Sequence, residues 1–267
     1  MKTTHFIHIS DTHFGPEPEF TVRGAPVLER SQRLVAEINA LPFTPDAIVH
    51  TGDVVNDPDD AAYKIARDVF AEFSVPVYYA TGNHDDVSMM RKHLDFGPLE
   101  LLVPESENRL CYRARVGSID AIVLDAKVPP EEGPHGYFPE NQLEALSTSV
   151  ADSDRPFAVF VHFPARPIGA KWIDEHLSVK NGNELHSILK SVPTNQFLGT
   201  FYGHLHRGMQ IYDEGILYSS VSSPACQFTT GPDEDGCEFL PDVPVCFNHI
   251  SISETGATQV KEYSFNS

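Results

Sequence analysis

Apolar runs and helical periodicities alternate through the first ninety residues of the chain. Short apolar runs predict strands at residues 5–9, 47–50 and 77–80. Apolar residues at helical spacing predict helices at 27–39 and near 87–94, and a further helix whose apolar face comprises Ala62, Ile65, Ala66, Val69, Phe70 and Phe73. This β-α-β-α-β order implies right-handed crossovers and parallel strands whose carboxyl ends lie at one edge of a sheet.

The second half of the chain follows a different pattern. Two apolar runs, 111–116 and 121–124, predict a hairpin around Gly117-Ser118. Helices are predicted at 140–149 and 184–191, and strands at 157–161, 197–202, 210–212, 216–221 and 245–252. The acidic stretch 229–244, rich in proline and glycine, predicts a long surface loop. We therefore expect one layered domain over residues 1–267, with two sheets face to face, helices outside, and 222–267 as a C-terminal extension.

Composition narrows the possible functions. The 267 residues, 41% of them hydrophobic, suffice for one α/β enzyme domain with a full core. A formal net charge of −19 would repel a phosphate polymer, which disfavours long nucleic acid as a partner. We find no segment resembling a signal peptide and no apolar run of membrane-spanning length.

The cysteine pattern completes that picture. Four cysteines without CxxC spacing are predicted to be reduced thiols, with a Cys237–Cys246 disulfide as the alternative. We expect a cytoplasmic protein with no membrane partner.

Polar residues with metal-ligand chemistry follow five of the predicted strands. They are Ser10-Asp11-Thr12-His13, Gly52-Asp53, Gly82-Asn83-His84-Asp85, His162 and Gly203-His204-Leu205-His206. Because a sheet brings strand ends to one edge, we expect these clusters to converge. Oxygen and imidazole groups without thiolate suit Fe, Mn, Zn or Co, and seven of them are enough for two ions.

Each cluster taken singly has an ordinary structural explanation. An Asp-x-His sequence is usually part of a turn, and a single histidine such as His162 is more often a core residue. His-x-His pairs also arise by chance in a chain with 13 histidines. Five clusters at five strand ends are not explained in this way, so together they predict one metal site.

These residues resemble the calcineurin-like metallophosphoesterase superfamily, whose motifs are Asp-x-His, Gly-Asp, Gly-Asn-His-(Asp/Glu), His and Gly-His-x-His in that order. The resemblance runs from Asp11 to His206. Within the superfamily the chain looks most like the class III cyclic-nucleotide phosphodiesterase branch, which also contains glycerophosphodiesterases. The resemblance implies a four-layer αββα sandwich of two mixed β-sheets flanked by helices. It also implies a homodimer that uses the segment 222–267.

The resemblance further implies a role for each motif residue. The seven implied metal ligands are Asp11, His13 and His206 for one ion, Asn83, His162 and His204 for the other, and Asp53 as the bridge. His84 would be the catalytic proton donor, and Asn83 would help to stabilise charge on the phosphoryl group. The Pro134-His135-Gly136 stretch places His135 with Asn83 and His84 in substrate binding. Many members have aspartate where this chain has Asn56. We expect Asn56 to orient His84 by hydrogen bonding, but to raise the basicity of His84 less than an aspartate would.

The implied reaction is hydrolysis of a small phosphodiester. Two cations on a shared carboxylate lower the pKa of a bridging solvent molecule, and the resulting hydroxide attacks phosphorus while His84 protonates the leaving alkoxide. The expected substrates are 3′,5′-cyclic AMP, a related cyclic nucleotide, or a glycerophosphodiester, and the resemblance favours iron with manganese. Two alternatives are a phosphomonoesterase or nucleotide pyrophosphatase, and a non-catalytic interaction module. The second is disfavoured because every motif position is filled.

Overall fold

Helices and strands alternate along most of the chain in the computed structural model, which describes residues 3–193 and 195–265. The helices are α1 (Val27–Asn39), α2 (Asp60–Phe70), α3 (Val87–His93), α4 (Glu140–Ala151), α5 (Lys171–His176) and α6 (Gly182–Ser191). The strands are β1 (Thr3–Ile9), β2 (Thr21–Val22), β3 (Ala25–Pro26), β4 (Ala47–His50), β5 (Val77–Tyr79), β6 (Glu100–Leu101), β7 (Tyr112–Val116), β8 (Ile119–Val123), β9 (Phe157–Phe160), β10 (Phe197–Tyr202), β11 (Gln210–Asp213), β12 (Ile216–Ser220), β13 (Gln227–Phe228), β14 (Phe239–Leu240), β15 (Val245–Ser253) and β16 (Thr258–Phe265).

The first sheet has five strands in the order β16-β15-β1-β4-β5. Strands β1, β4 and β5 are parallel, with Phe6 opposite Ala47 and Ile48 opposite Val77. This confirms the predicted β-α-β-α-β unit. Strand β15 runs antiparallel beside β1 and is itself paired with β16. Part of the C-terminal segment therefore belongs to this sheet.

The second sheet has seven strands in the order β11-β12-β10-β9-β8-β7-β6. Four adjacent strands, β12, β10, β9 and β8, are parallel, whereas β7 and β11 pair antiparallel with their neighbours. The predicted hairpin forms between β7 and β8 and turns at Gly117, which adopts a positive φ. Two further short ribbons, β2–β3 and β13–β14, stand apart from both sheets.

The two sheets face one another between two layers of helices. Leu34 of α1 belongs to the same apolar cluster as the first sheet and the inner face of the second, which contributes Phe160. Leu146 of α4 and Leu185 of α6 pack in a separate cluster on the outer face of the second sheet. The expected four-layer αββα sandwich of two mixed sheets flanked by helices is confirmed. Its parallel strands end at one common side of the molecule.

Some predicted details were wrong. The predicted loop 229–244 contains β14, whose Phe239 lies opposite Phe228 of β13. Helix α2 ends at Phe70, so Phe73 enters the core from the turn that follows. The short helix α5 and the edge strand β16 were not predicted, because six residues give little periodicity and β16 has no fully buried residue.

Two expectations about the chain as a whole can also be compared with the structure. All four cysteines are free thiols, so the Cys237–Cys246 disulfide does not form. Within residues 3–193 and 195–265, no helix has both the length and the apolar character needed to cross a bilayer.

Candidate metal centre

All seven predicted metal ligands meet where the two sheets present the carboxyl ends of their parallel strands. The loops after β1, β4 and β5 supply ligands from the first sheet, and the loops after β9 and β10 supply those from the second. Two groups of buried side chains have ligand atoms within 4.8 Å of one another. They are Asp11, His13, Asp53 and His206 in the first group, and Asp53, His162 and His204 in the second. The expected convergence of distant strand ends therefore occurs.

Asp53 lies between the two groups. Its Oδ2 is 3.7 Å from His13 Nε2 and 3.3 Å from His162 Nε2, so one carboxylate oxygen faces both sides. Asn83 joins the second group, because its Oδ1 is 3.1 Å from His162 Nε2. In the first group, His206 Nε2 lies 3.5 Å from Asp11 Oδ1. This arrangement suits a carboxylate that bridges two ions.

The spacing of the imidazole nitrogens fits shared metal ions. His13 Nε2 and His206 Nε2 are 3.0 Å apart, as are His162 Nε2 and His204 Nδ1. Two nitrogens bound at about 2.1 Å to one ion and at right angles would be about 3.0 Å apart. On their outer sides, the Nδ1 atoms of His162 and His206 donate to the carbonyl oxygens of Thr51 and Cys226, at 2.7 and 2.9 Å. These bonds keep a proton on each Nδ1 and turn each Nε2 towards the other predicted ligands.

Burial sets the protonation of the ligands. It lowers the pKa of His13 and His204 well below the ordinary value and that of His206 to about 4, so these rings stay neutral with a lone pair available. Burial opposes the charged forms of Asp53 and His162 as well. Their mutual attraction outweighs it, lowering the pKa of Asp53 well below its usual range and raising that of His162 to about 9.

The ligand loops hold an uncommon backbone conformation. Eight described residues other than glycine have a positive φ, and five of them are predicted ligands: Asp11, His13, Asp53, His204 and His206. Each left-handed residue costs on the order of 1 kcal/mol, and such strain persists only where surrounding contacts hold it. It aims side chains that lie two to four residues past a strand end into the same space.

Two glycines allow these loops to approach one another. A Cβ on Gly82 would lie 2.1 Å from Asp53 Oδ1 and 2.3 Å from the Asp53 backbone nitrogen. A Cβ on Gly203 would lie 1.9 Å from Ser10 Oγ and 2.6 Å from Asp11 Oδ2. The absence of a side chain at both glycines therefore lets the loops pack closely. At Gly82 the neighbouring group is the shared carboxylate of Asp53.

Asp85 ties the loops of β4 and β5 together beneath the ligands. Its Oδ1 accepts from the backbone N–H groups of Val54 and Val55 at 3.0 and 3.3 Å, and from the Tyr63 hydroxyl at 3.3 Å. Its Oδ2 accepts from Gly82 N at 3.0 Å. Because Asp85 is fully buried, these bonds are shielded from water and fix the relative position of the two loops.

His84 stands beside the ligands without belonging to either group. Its Nδ1 donates to the backbone carbonyl of Asn56 at 2.6 Å, and its backbone N–H donates to Asp53 Oδ1 at 2.9 Å. The Asn56 side chain instead donates to Asp57 at 2.7 Å. Asn56 therefore does orient the ring, but it does so through its backbone carbonyl. Its side chain, the feature that departs from the superfamily pattern, takes no part in this bond. The bond leaves Nε2 of His84 available for proton transfer.

A cavity of about 230 Å³ opens above the ligands. Pro134 lies on its wall and His135 does not, so the role of His135 in substrate binding stays a prediction. The wall also includes residues that were not predicted, among them Arg23, Trp172, Phe228 and Phe239. They lie in short elements without periodicity, and nothing in their spacing indicates that they meet. A larger groove of about 690 Å³, lined by residues such as Ser153 and Gln196, contains none of the predicted ligands.

Two annotated enzymes resemble the chain over most of its length. A glycerophosphodiester phosphodiesterase of Enterobacter lignolyticus is 26% identical over 253 residues, covering 92% of this chain and 87% of the relative. A 3′,5′-cyclic adenosine monophosphate phosphodiesterase of Escherichia coli is 27% identical over 223 residues, covering 83% of this chain and 76% of the relative.

Solved structures share the fold at lower identity. A purple acid phosphatase from yellow lupin superposes with a TM-score of 0.65 at 14% identity, over 98% of this chain and about half (52%) of the lupin chain. A phosphopantetheinyl hydrolase of Mycobacterium tuberculosis superposes with a TM-score of 0.51 at 13% identity, over 83% of this chain and 90% of the other. These likenesses concern the fold.

The family profile matches the part of the chain that carries the site. The profile described as calcineurin-like phosphoesterase matches residues 4–208, which include every predicted ligand from Asp11 to His206. That stretch is more than three quarters of the 267 residues. The chain therefore belongs to the calcineurin-like phosphoesterase family.

Proposed function

We propose that this protein hydrolyses a small phosphodiester at a pair of metal ions held above the carboxyl ends of its strands. The observation that carries the proposal is the position of Asp53, whose Oδ2 faces His13 at 3.7 Å and His162 at 3.3 Å. A buried carboxylate between two sets of imidazole and oxygen donors is the arrangement that two-metal hydrolases use.

Each ion would have its own ligands and share Asp53. Those ligands would be Asp11, His13 and His206 for one ion, and Asn83, His162 and His204 for the other. When bound, the two ions would supply Lewis-acid charge at the phosphoryl oxygens and a water of lowered pKa. The protein's contribution is to hold these side chains in fixed tautomers and to keep them buried.

His84 would donate the proton that the leaving alkoxide needs. It lines the cavity, and the Nδ1 bond to the Asn56 carbonyl fixes the ring with Nε2 left for proton transfer. An alkoxide is a poor leaving group, so the donor matters most for unactivated diesters. Asn83, the neighbour of His84 in the chain, would help to stabilise charge on the phosphoryl group.

The substrate candidates follow from the relatives and from the size of the cavity. The similar proteins from E. lignolyticus and E. coli are a glycerophosphodiester phosphodiesterase and a cyclic AMP phosphodiesterase. A cavity of about 230 Å³ suits a ligand of that size better than a polymer, and the net charge of −19 disfavours long nucleic acid.

The test is a substrate panel on the Mn²⁺-loaded protein: cyclic AMP, glycerophosphocholine, an aryl phosphomonoester and ADP-ribose. We expect turnover of a diester to exceed that of the phosphomonoester and of ADP-ribose. Preference for the aryl phosphomonoester or for ADP-ribose would instead support the phosphomonoesterase or pyrophosphatase alternative. Fewer than two bound ions together with no turnover would support a non-catalytic module.

Two substitutions test the assigned roles. His84→Ala should retain both ions and lose about a hundredfold or more in kcat on an alkyl diester. Asp53→Ala should lose metal as well as turnover, measured by elemental analysis after dialysis. His5→Ala, at the opposite end of β1, is the matched control and should change neither quantity. Full turnover by His84→Ala on an alkyl diester would remove its role.

We also propose iron with manganese as the native metal pair, a cytoplasmic location, and a homodimer formed through residues 222–267. Within that segment, β15 already lies between β1 and β16, so the outer edge of β16 is the part open to pairing with a second copy. Elemental analysis of protein purified without added metal tests the first proposal, cell fractionation the second and sedimentation the third.

A further inference from the structure

An apolar wall lines the cavity beside the predicted metal ligands. Trp172 of α5, Phe228 of β13 and Phe239 of β14 form this wall, hereafter the aromatic wall. These rings come from separate short elements, and Phe239 keeps 37% of its surface exposed. Metal ions can hydrolyse a phosphodiester without an aromatic surface. The aromatic wall is therefore expected to contact the organic group attached to the phosphate.

The aromatic wall is directly connected to the metal ligands. The ring of Phe228 stacks on the ring of His206, with centroids 4.2 Å apart and planes 17° apart. Phe239 meets Phe228 edge to face at 4.8 Å. Phe228 therefore joins the aromatic wall to His206, and a planar group held in the cavity occupies the same space as the predicted ligands.

Arg23 adds a positive charge to the aromatic wall. Its guanidinium carbon lies 4.0 Å from the centroid of the Phe239 ring, within the range of a cation–π contact. It is the one lysine or arginine among the described residues that line this cavity. Arg23 and Gly24 both have positive φ in the tight turn between β2 and β3. A two-residue turn between antiparallel strands commonly has positive φ at both residues, and it fixes the backbone of Arg23 at the edge of the cavity.

We infer that the aromatic wall and Arg23 bind a nucleobase, so that the substrate is a nucleotide diester such as a 3′,5′-cyclic purine nucleotide. This inference rests on the proposed function and selects among its substrates. A base gains about 1–3 kcal/mol by stacking on an aromatic side chain. A glycerol group has no flat face to stack, and the cationic head of choline or ethanolamine would be repelled by Arg23.

The first experiment needs no turnover, because Trp172 is the single tryptophan of the chain. Adenosine 5′-monophosphate should quench its fluorescence saturably in the Mn²⁺-loaded protein. Glycerol 3-phosphate, which offers the same phosphate without a base, should not. Phe239→Ala should weaken the apparent affinity for the nucleotide about tenfold. Tyr212→Ala removes an aromatic ring that is 78% exposed outside the cavity and should leave the titration unchanged.

The second experiment compares three diesters: cyclic AMP, glycerophosphoglycerol and glycerophosphocholine. In the wild type, kcat/KM should fall in that order. Phe239→Ala and Trp172→Ala should each lower the ratio of cyclic AMP to glycerophosphoglycerol about tenfold or more, mainly through KM. Trp172→Phe, which keeps an aromatic ring, should restore much of that ratio. Arg23→Gln should reduce the difference in kcat/KM between glycerophosphoglycerol and glycerophosphocholine.

The outcomes separate this inference from the proposed function. Turnover of glycerophosphoglycerol equal to that of cyclic AMP, with equal losses on both in Phe239→Ala, would overturn the nucleobase site and leave the phosphodiesterase intact. Saturable quenching by the nucleotide without hydrolysis of any diester would support the nucleobase site and overturn the proposed function. Absence of specific quenching in protein that holds both ions overturns the inference directly.

Discussion

Replacing Gly82 by alanine is the smallest change that should dismantle the metal site. The added Cβ would lie 2.3 Å from the Asp53 backbone nitrogen and 2.1 Å from Asp53 Oδ1. Gly82 is not among the glycines with a positive φ, so alanine brings no conformational penalty of its own and the effect is steric. The clash involves backbone, so rotation of the Asp53 side chain alone cannot relieve it.

The magnitude follows from these distances. Ordinary van der Waals contact begins at 3.4 Å, so the loops carrying Gly82 and Asp53 must separate by about 1.1 Å. Metal–ligand distances tolerate only about 0.2 Å. Asp53 belongs to both groups of ligands, so the affinity for each ion should fall about a hundredfold or more. Overpacking of this kind also costs about 1–3 kcal/mol of unfolding free energy.

The assay combines elemental analysis after dialysis against a weak chelator with urea unfolding of the metal-free protein. Gly236→Ala is the matched control, because nothing lies within 4 Å of its added Cβ and its φ is not positive. That variant should retain both ions and wild-type stability. If Gly82→Ala keeps two ions and unfolds within about 0.5 kcal/mol of the wild type, the steric account of this loop contact is wrong.

Two other predictions concern residues outside the ligand set. His8 is fully buried between Phe160 and Phe201, and burial, followed by the neighbouring His50, lowers its pKa from 6.5 to about 3. As the pH falls below 6.5, the His8 imidazole therefore binds a proton in the unfolded chain but stays neutral in the folded chain. The stability that His8 contributes is complete above pH 6.5 and declines towards pH 3. His8→Gln should reduce the slope of unfolding free energy against pH in that window by up to about 1.4 kcal/mol per unit. Arg30 donates to the carbonyl oxygens of Ala225, Pro241 and Val243, so Arg30→Met should speed hydrogen exchange in residues 225–243 about tenfold.

Each of these has a clear contrary result. An unchanged pH slope in His8→Gln, measured by urea unfolding at several pH values, would mean that the buried ring does not titrate as described. Unchanged exchange in residues 225–243 of Arg30→Met, measured by mass spectrometry, would mean that this segment is held by other contacts. His176→Gln, with an exposed ring, and Arg33→Met, on the exposed side of α1, are the respective controls.

The bounds of helices and strands that arise from patterns among neighbouring residues could be predicted closely. Helix α1 and strand β4 have the predicted bounds, because an amphipathic repeat and a continuous apolar run are properties of adjacent residues. The convergence of Asp11, Asp53 and His204 was also predictable, since parallel strands end at one edge. Strands β13 and β14 were not, because two-residue strands carry no periodicity and form only when their partner is already in place.

The amino-acid sequence by itself determined which residues are predicted to bind metal and which family the chain belongs to, because the ligand motifs are short and each follows its own strand. Tertiary structure decided how those residues act. The left-handed backbone of the ligands, the orientation of His84 by the Asn56 carbonyl, and the meeting of Arg23 with Phe239 all depend on segments far apart in the chain. Packing between layers brings such segments together, and no local pattern encodes that packing.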